Sequence, residues 1–146
     1  MASHLEEIFP NLAATDYTIT SPASDQYNCI AWAAGDKTRW WWPDPLGIYF
    51  WPENASRTES PASFIEAFRG FQYEPCGMDD SFEAEFEKVA LFIDASGNIT
   101  HMTRQVNSGV WSSKLGGLED IEHALKAING EIYGFPLMVM KRPRRS

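Results

Sequence analysis

A thiol at the start of a short apolar run and an imidazole on an alternating strand are the two groups in this chain suited to nucleophilic catalysis. The thiol lies in Asp25-Gln26-Tyr27-Asn28-Cys29-Ile30-Ala31-Trp32-Ala33-Ala34-Gly35, where a polar turn hands over to apolar residues that stop at glycine. That pattern predicts a helix with Cys29 in its first turn. First-turn N–H groups lack intrahelical partners and carry partial positive charge, which favours thiolate over thiol. Cys29 is therefore the candidate nucleophile. His101, in Ile99-Thr100-His101-Met102-Thr103-Arg104-Gln105-Val106, is the candidate base. Imidazole would take the thiol proton, thiolate would attack a carbonyl, and imidazolium would protonate the leaving group. The first-turn N–H groups would also stabilise the oxyanion. An imidazole base needs an acceptor on its second nitrogen to fix its tautomer, and Asp120 is the candidate for it. Asp120 is preferred because the chain can turn back at Gly116-Gly117; capping a helix is its structural alternative. A buried cysteine with an unrelated strand histidine is the competing reading of the pair.

The elements that must hold these groups are signalled unevenly. Ser3-His4-Leu5-Glu6 ahead of Ile8 and Phe9 has capping-box spacing, predicting a short helix that ends at Pro10. Residues 11–24 read as loop. Trp40-Trp41-Trp42-Pro43-Asp44-Pro45 and Ile48-Tyr49-Phe50-Trp51-Pro52 hold too much proline for a helix. They are expected either to cover the core or to line a cleft as an aromatic wall. Ser60-Pro61 followed by Phe64, Ile65, Phe68 and Phe71 predicts an amphipathic helix over 61–71. The acids between Asp79 and Glu87 lack calcium-loop spacing and read as a solvated face. Residues 88–94 and 99–106, separated by Ala95-Ser96-Gly97-Asn98, form the clearest hairpin. Alternation puts Ile99, His101, Thr103 and Gln105 on one face, and Thr100, Met102, Arg104 and Val106 on the other. A third strand is expected at 110–114, a helix over 118–128 and a last strand over 131–140. His123 then falls off that helix's apolar stripe as a surface residue, His4 is solvated near the terminus, and Lys114 and Arg104 read as surface or ion-paired cations.

Composition bounds the function. A chain of 146 residues, 44% hydrophobic and 14% aromatic, fits one globular domain over 1–146. The net charge is −8, and four of the twelve basic residues lie in 141–146, expected to be a flexible tail. That leaves 8 basic against 20 acidic residues over 1–140, which argues against nucleic acid as a partner. No signal-peptide pattern opens the chain and no run approaches ~18 apolar residues, so neither export nor membrane insertion is expected and the expected location is cytoplasmic. Cys29 and Cys76 are too few for a disulfide framework or a thiolate zinc site; a single bridge between them is the minor alternative. No metal and no cofactor is expected, and the oligomeric state is open.

Tyr27-Asn28-Cys29-Ile30-Ala31-Trp32-Ala33, Thr100-His101-Met102-Thr103-Arg104-Gln105 and Gly109-Val110-Trp111-Ser112-Ser113-Lys114-Leu115-Gly116 together resemble a set of mostly uncharacterised bacterial proteins. That set is in turn similar to the papain-like, or NlpC-type, cysteine hydrolase superfamily. The resemblance implies an α+β, papain-like fold in which N-terminal helices, with the cysteine at a helix start, pack on a small antiparallel sheet. It implies peptidase, amidase, deamidase or acyltransferase chemistry on a peptide or other amide- or ester-bearing substrate. The resemblance carries over Cys29 and His101 as nucleophile and base, and because the orienting residue of papain-like enzymes follows the histidine in sequence, it limits the candidates for that role to Gln105, Asn107, Ser113, Glu119 and Asp120. The expected catalytic set is then Cys29, His101 and Asp120, and the expected substrate contacts are Asn28, Trp32, Gln105 and Trp111. Two alternatives stand beside it. One is an inert binding or interaction module of the same fold, its aromatic segment gripping a protein partner. The other is an immunity or stress protein whose acidic body docks a basic partner.

Overall fold

In a computed structural model the described residues are 4–144. The chain is α+β and dominated by its sheet. Helix α1 (His4–Ile8) and a 3₁₀ helix (Pro10–Ala14) precede strand β1 (Thr18–Ser21), followed by α2 (Cys29–Ala34), α3 (Pro61–Arg69) and β2 (Glu74–Pro75). Then come β3 (Phe86–Ile93), β4 (Ile99–Asn107), β5 (Val110–Lys114), β6 (Asp120–His123), a second 3₁₀ helix (Leu125–Ile128) and β7 (Phe135–Pro143). The seven strands lie in the order β1-β6-β5-β4-β3-β7-β2, each pair antiparallel.

The interior strand β3, between β4 and β7, explains the architecture. Its near-continuous apolar run offers buried side chains to both sides, so the sheet needs a cover on each. Val89 and Leu91 join Cys29, Ile30, Trp32, Trp41, Trp51, Phe64 and Phe68 in one cluster under α2, α3 and the aromatic segment. Ala90 and Phe92, one residue out of phase, join Leu5, Leu12, Trp111, Ile121 and Tyr133 in a second cluster on the opposite side. We call these the α2 face and the Tyr133 face. Trp41 and Trp51 are almost fully buried, whereas Leu46 and Ile48 at the tip of the aromatic segment are exposed. Gly134 fixes the approach of the chain to β3. A Cβ there would sit 2.0 Å from the Ile93 carbonyl oxygen, so only glycine lets Tyr133 close onto the sheet.

Several expectations need correction. The predicted helix over 118–128 is β6 followed by a 3₁₀ turn. Leu118, Ile121, Leu125 and Ile128 have helical spacing, but residues 120–123 pair with β5 on one side and with β1, read as loop, on the other. Two ladders outweigh a local period. The sheet is accordingly larger than the small one expected. The tail over 141–146 is not free as far as it is described: Lys141, Arg142 and Pro143 continue β7 opposite β3, and the Arg144 N–H donates to the Glu85 carbonyl. Arg145 and Ser146, like the cap expected at Ser3, lie outside the described residues. No helix among the described residues is long and apolar enough to cross a membrane.

Candidate functional site

Asn28 sets the start of α2 and the position of Cys29. Its side-chain oxygen accepts from the N–H groups of Ala31 and Trp41, both at 3.1 Å, and its Nδ2 donates to the Trp41 carbonyl at 2.7 Å. The amide that sequence offered for substrate is therefore fully engaged in joining the helix cap to the aromatic segment. Cys29 follows as the first residue of the helix, 6% exposed. Burial pushes its thiol up to about 11, against the Met102, Ile30 and Cys29 N–H groups and the Lys114 charge, which act downward. Desolvation thus acts against the activated thiolate expected from the helix start.

His101 stands on the other side of the sheet. It lies opposite Phe92, packs its ring edge-on to Phe92 and stacks on Tyr133 with ring centres 3.9 Å apart. Met102, one residue on, faces Cys29 and the α2 cluster. Strand alternation thus separates the two groups, and no hydrogen bond joins Cys29 to His101 among the described residues. Neither ring nitrogen is bonded to the thiol among the described residues. His101 Nε2 lies 3.0 Å from Ser113 Oγ, and Nδ1 is buried without a partner.

Ser113 serves a second ring. His123, expected on a helix surface, is a buried β6 residue whose Nε2 lies 2.7 Å from Ser113 Oγ and whose Nδ1 lies 2.7 Å from the Ala124 carbonyl. A carbonyl can only accept, so it fixes the proton of His123 on Nδ1 and makes Nε2 an acceptor. The single Ser113 proton lies between that acceptor and Thr103 Oγ1, also at 2.7 Å. Ser113 then accepts from His101 Nε2–H, which leaves His101 Nδ1 as a bare lone pair. Both rings are neutral in this pattern. Burial pushes His123 down to about 4, and burial with the neighbouring His123 charge pushes His101 well below its usual range.

The remaining predicted residues do not converge on the thiol and imidazole. Asp120 does not orient His101; its carboxylate accepts from the Tyr27 hydroxyl at 2.7 Å, and its other oxygen is buried without a partner. Trp32 donates its indole N–H to Ser112 Oγ at 3.0 Å on the α2 face. Gln105 donates to the Asp80 carbonyl at 2.9 Å, and Trp111 is packed in the Tyr133-face core.

Lys114 and Arg104, read as surface or ion-paired cations, both pack against aromatic rings on the α2 face. Lys114 is fully buried, donating to the Ser24, Gly116 and Leu118 carbonyls. Arg104 lies over the Trp32 ring at 3.9 Å and lines a cleft of about 260 Å³ beside the C-terminal end of α2. Sequence reasoning did not find this cleft. The available signal was Arg104 sharing a strand face with Met102, once that face is known to meet α2.

No curated protein and no solved structure matches the chain. Over residues 18–141, which take in β1 to β6 and most of β7, the chain matches the model of a domain of unknown function, DUF7689, and it belongs to that family.

Proposed function

We propose that this domain works by binding a ligand or partner, with Cys29 chemically inert. The observation that carries the reading is the separation of the thiol from the imidazole: Cys29 lies under Met102 on the α2 face, and His101 stacks on Tyr133 on the other. A nucleophile and its base must lie within hydrogen-bond reach for proton transfer. Of the two roles open to the aromatic segment, core cover is favoured by Trp41 and Trp51, which are packed into the core. A reducing compartment, the cytoplasm, suits a chain whose two cysteines are both free.

A cysteine hydrolase or acyltransferase on a papain-like scaffold is the second reading. It is favoured by one feature, the N–H groups of Cys29, Ile30 and Met102 directed at the sulfur. It requires a base other than His101, or a rearranged β4. Hydrolysis of p-nitrophenyl acetate by wild type and Cys29→Ala separates the two. Binding predicts equal rates; a burst that disappears with Cys29→Ala would sink it and support the hydrolase.

A further inference from the structure

The cleft beside α2 has an unusual charge distribution for so acidic a chain. Four cations line it, and two are neutralised: Lys88 by Glu83 at 2.8 Å and Asp79 at 3.6 Å, and Arg142 by Glu87 at 2.6 Å. The Arg144 side chain donates to the neutral Ala84 and Phe86 carbonyls and, among the described residues, pairs with no carboxylate. Arg104 donates to nothing among the described residues, and its Nε is buried without a partner. Carboxylates are plentiful in a chain of net charge −8, and Arg39, Arg57, Arg69 and Arg142 each pair with one. The Asp120 and Glu87 charges act on Arg104 from beyond ion-pair distance, so no carboxylate among the described residues neutralises it by contact, and the cleft it lines gives an acceptor from outside the chain access to it.

We propose that this cleft binds the anionic head, carboxylate or phosphate, of a small molecule, with Arg104 as its anchor. The Arg104 guanidinium carbon lies 3.9 Å from the centre of the Trp32 ring, a contact that restrains the side chain, and a guanidinium can give two parallel hydrogen bonds to a planar or tetrahedral anion. Little side-chain freedom remains to be lost on binding. The backbone acceptors at the rim are already occupied, and of the two carboxylates that act on Arg104, Asp120 is held through one oxygen by the Tyr27 hydroxyl. The Ala31 and Trp32 carbonyls at the end of α2 accept from Gly35 and Asp36, and Glu87 is held by Arg142. A volume of about 260 Å³ suits a small molecule and not a folded partner. The assignment rests on the binding reading of the domain and names its ligand class.

The test is calorimetric titration of the full chain with sodium phosphate and, separately, sodium succinate, with ionic strength held constant by sodium chloride. Saturable binding of either anion is expected, weakened at least tenfold in Arg104→Met and unchanged in Arg57→Met, whose guanidinium pairs with Asp44. Phosphate alone identifies a phosphate head and succinate alone a carboxylate. The Arg104 Nε–H resonance of the wild type should move on titration, a readout that does not depend on the variant folding. No binding beyond chloride, or equal binding by Arg104→Met, would overturn the site. Either failure leaves the thiol chemistry untouched, since that is decided by Cys29-dependent ester hydrolysis.

Discussion

Ser113 holds two histidines with one hydroxyl, and the arrangement ties stability to pH. In the folded chain His123 titrates at about 4, against ~6.5 when exposed, because burial disfavours its charged form. The unfolded chain therefore takes up a proton through this window that the folded chain refuses. Stability is complete above ~6.5 and is lost as pH falls towards about 4, by about 3 kcal/mol from this ring. His101, lowered in the same direction, adds to the loss. Urea unfolding at a series of pH values checks this against His123→Gln. The wild type should weaken more steeply than the variant between ~6.5 and 4, since glutamine does not titrate. Parallel curves would mean that His123 is charged, or solvated, in the folded protein.

Among the elements, α2 is short and depends on its cap. Helices of this length do not persist alone, so their stability comes from caps and packing. Asn28 supplies both, linking the helix start to the backbone of Trp41. Replacing it with alanine removes the cap and leaves buried Trp41 backbone groups unpaired, an expected cost of about 3 kcal/mol. Denaturant titration of Asn28→Ala measures it. A loss below about 1 kcal/mol would show that packing alone holds the helix.

The same elements show what sequence could carry. The Cys29 helix, the 88–106 hairpin, the 110–114 strand and the 61–69 helix each have a local cause: a cap, a turn, an alternation or a proline at N1. Strand β6 has none, because Asp120–His123 is extended only through neighbours distant in sequence, Thr18–Ser21 among them. Alternation correctly placed His101 and Thr103 on one side of β4 and Met102 and Arg104 on the other. It carries no information on which side meets α2, and the predicted catalytic pair depended on that one choice. The burial of Lys114 and His123 followed from the missed strand.

At the scale of the whole molecule, the sheet is a partition. Its α2 face carries Cys29, Trp32, Arg104, Lys114 and the Asp120–Tyr27 pair; its other face carries His101, Ser113, His123 and Tyr133. Groups that a list of residues would assemble into one active site are thereby divided between two cores. Polar chemistry meets solvent instead at the Arg104 cleft. The most direct test of this partition is the pH dependence of iodoacetamide alkylation, followed by peptide mapping of Cys29 and Cys76 in wild type and His101→Ala. The partition predicts that Cys29 reacts more slowly than the partly exposed Cys76 from pH 6 to 9, as expected for a buried thiol pushed up to about 11, with no change on removing His101. Rapid labelling of Cys29 at pH 6, lost in His101→Ala, would contradict it and restore the thiolate–imidazolium pair.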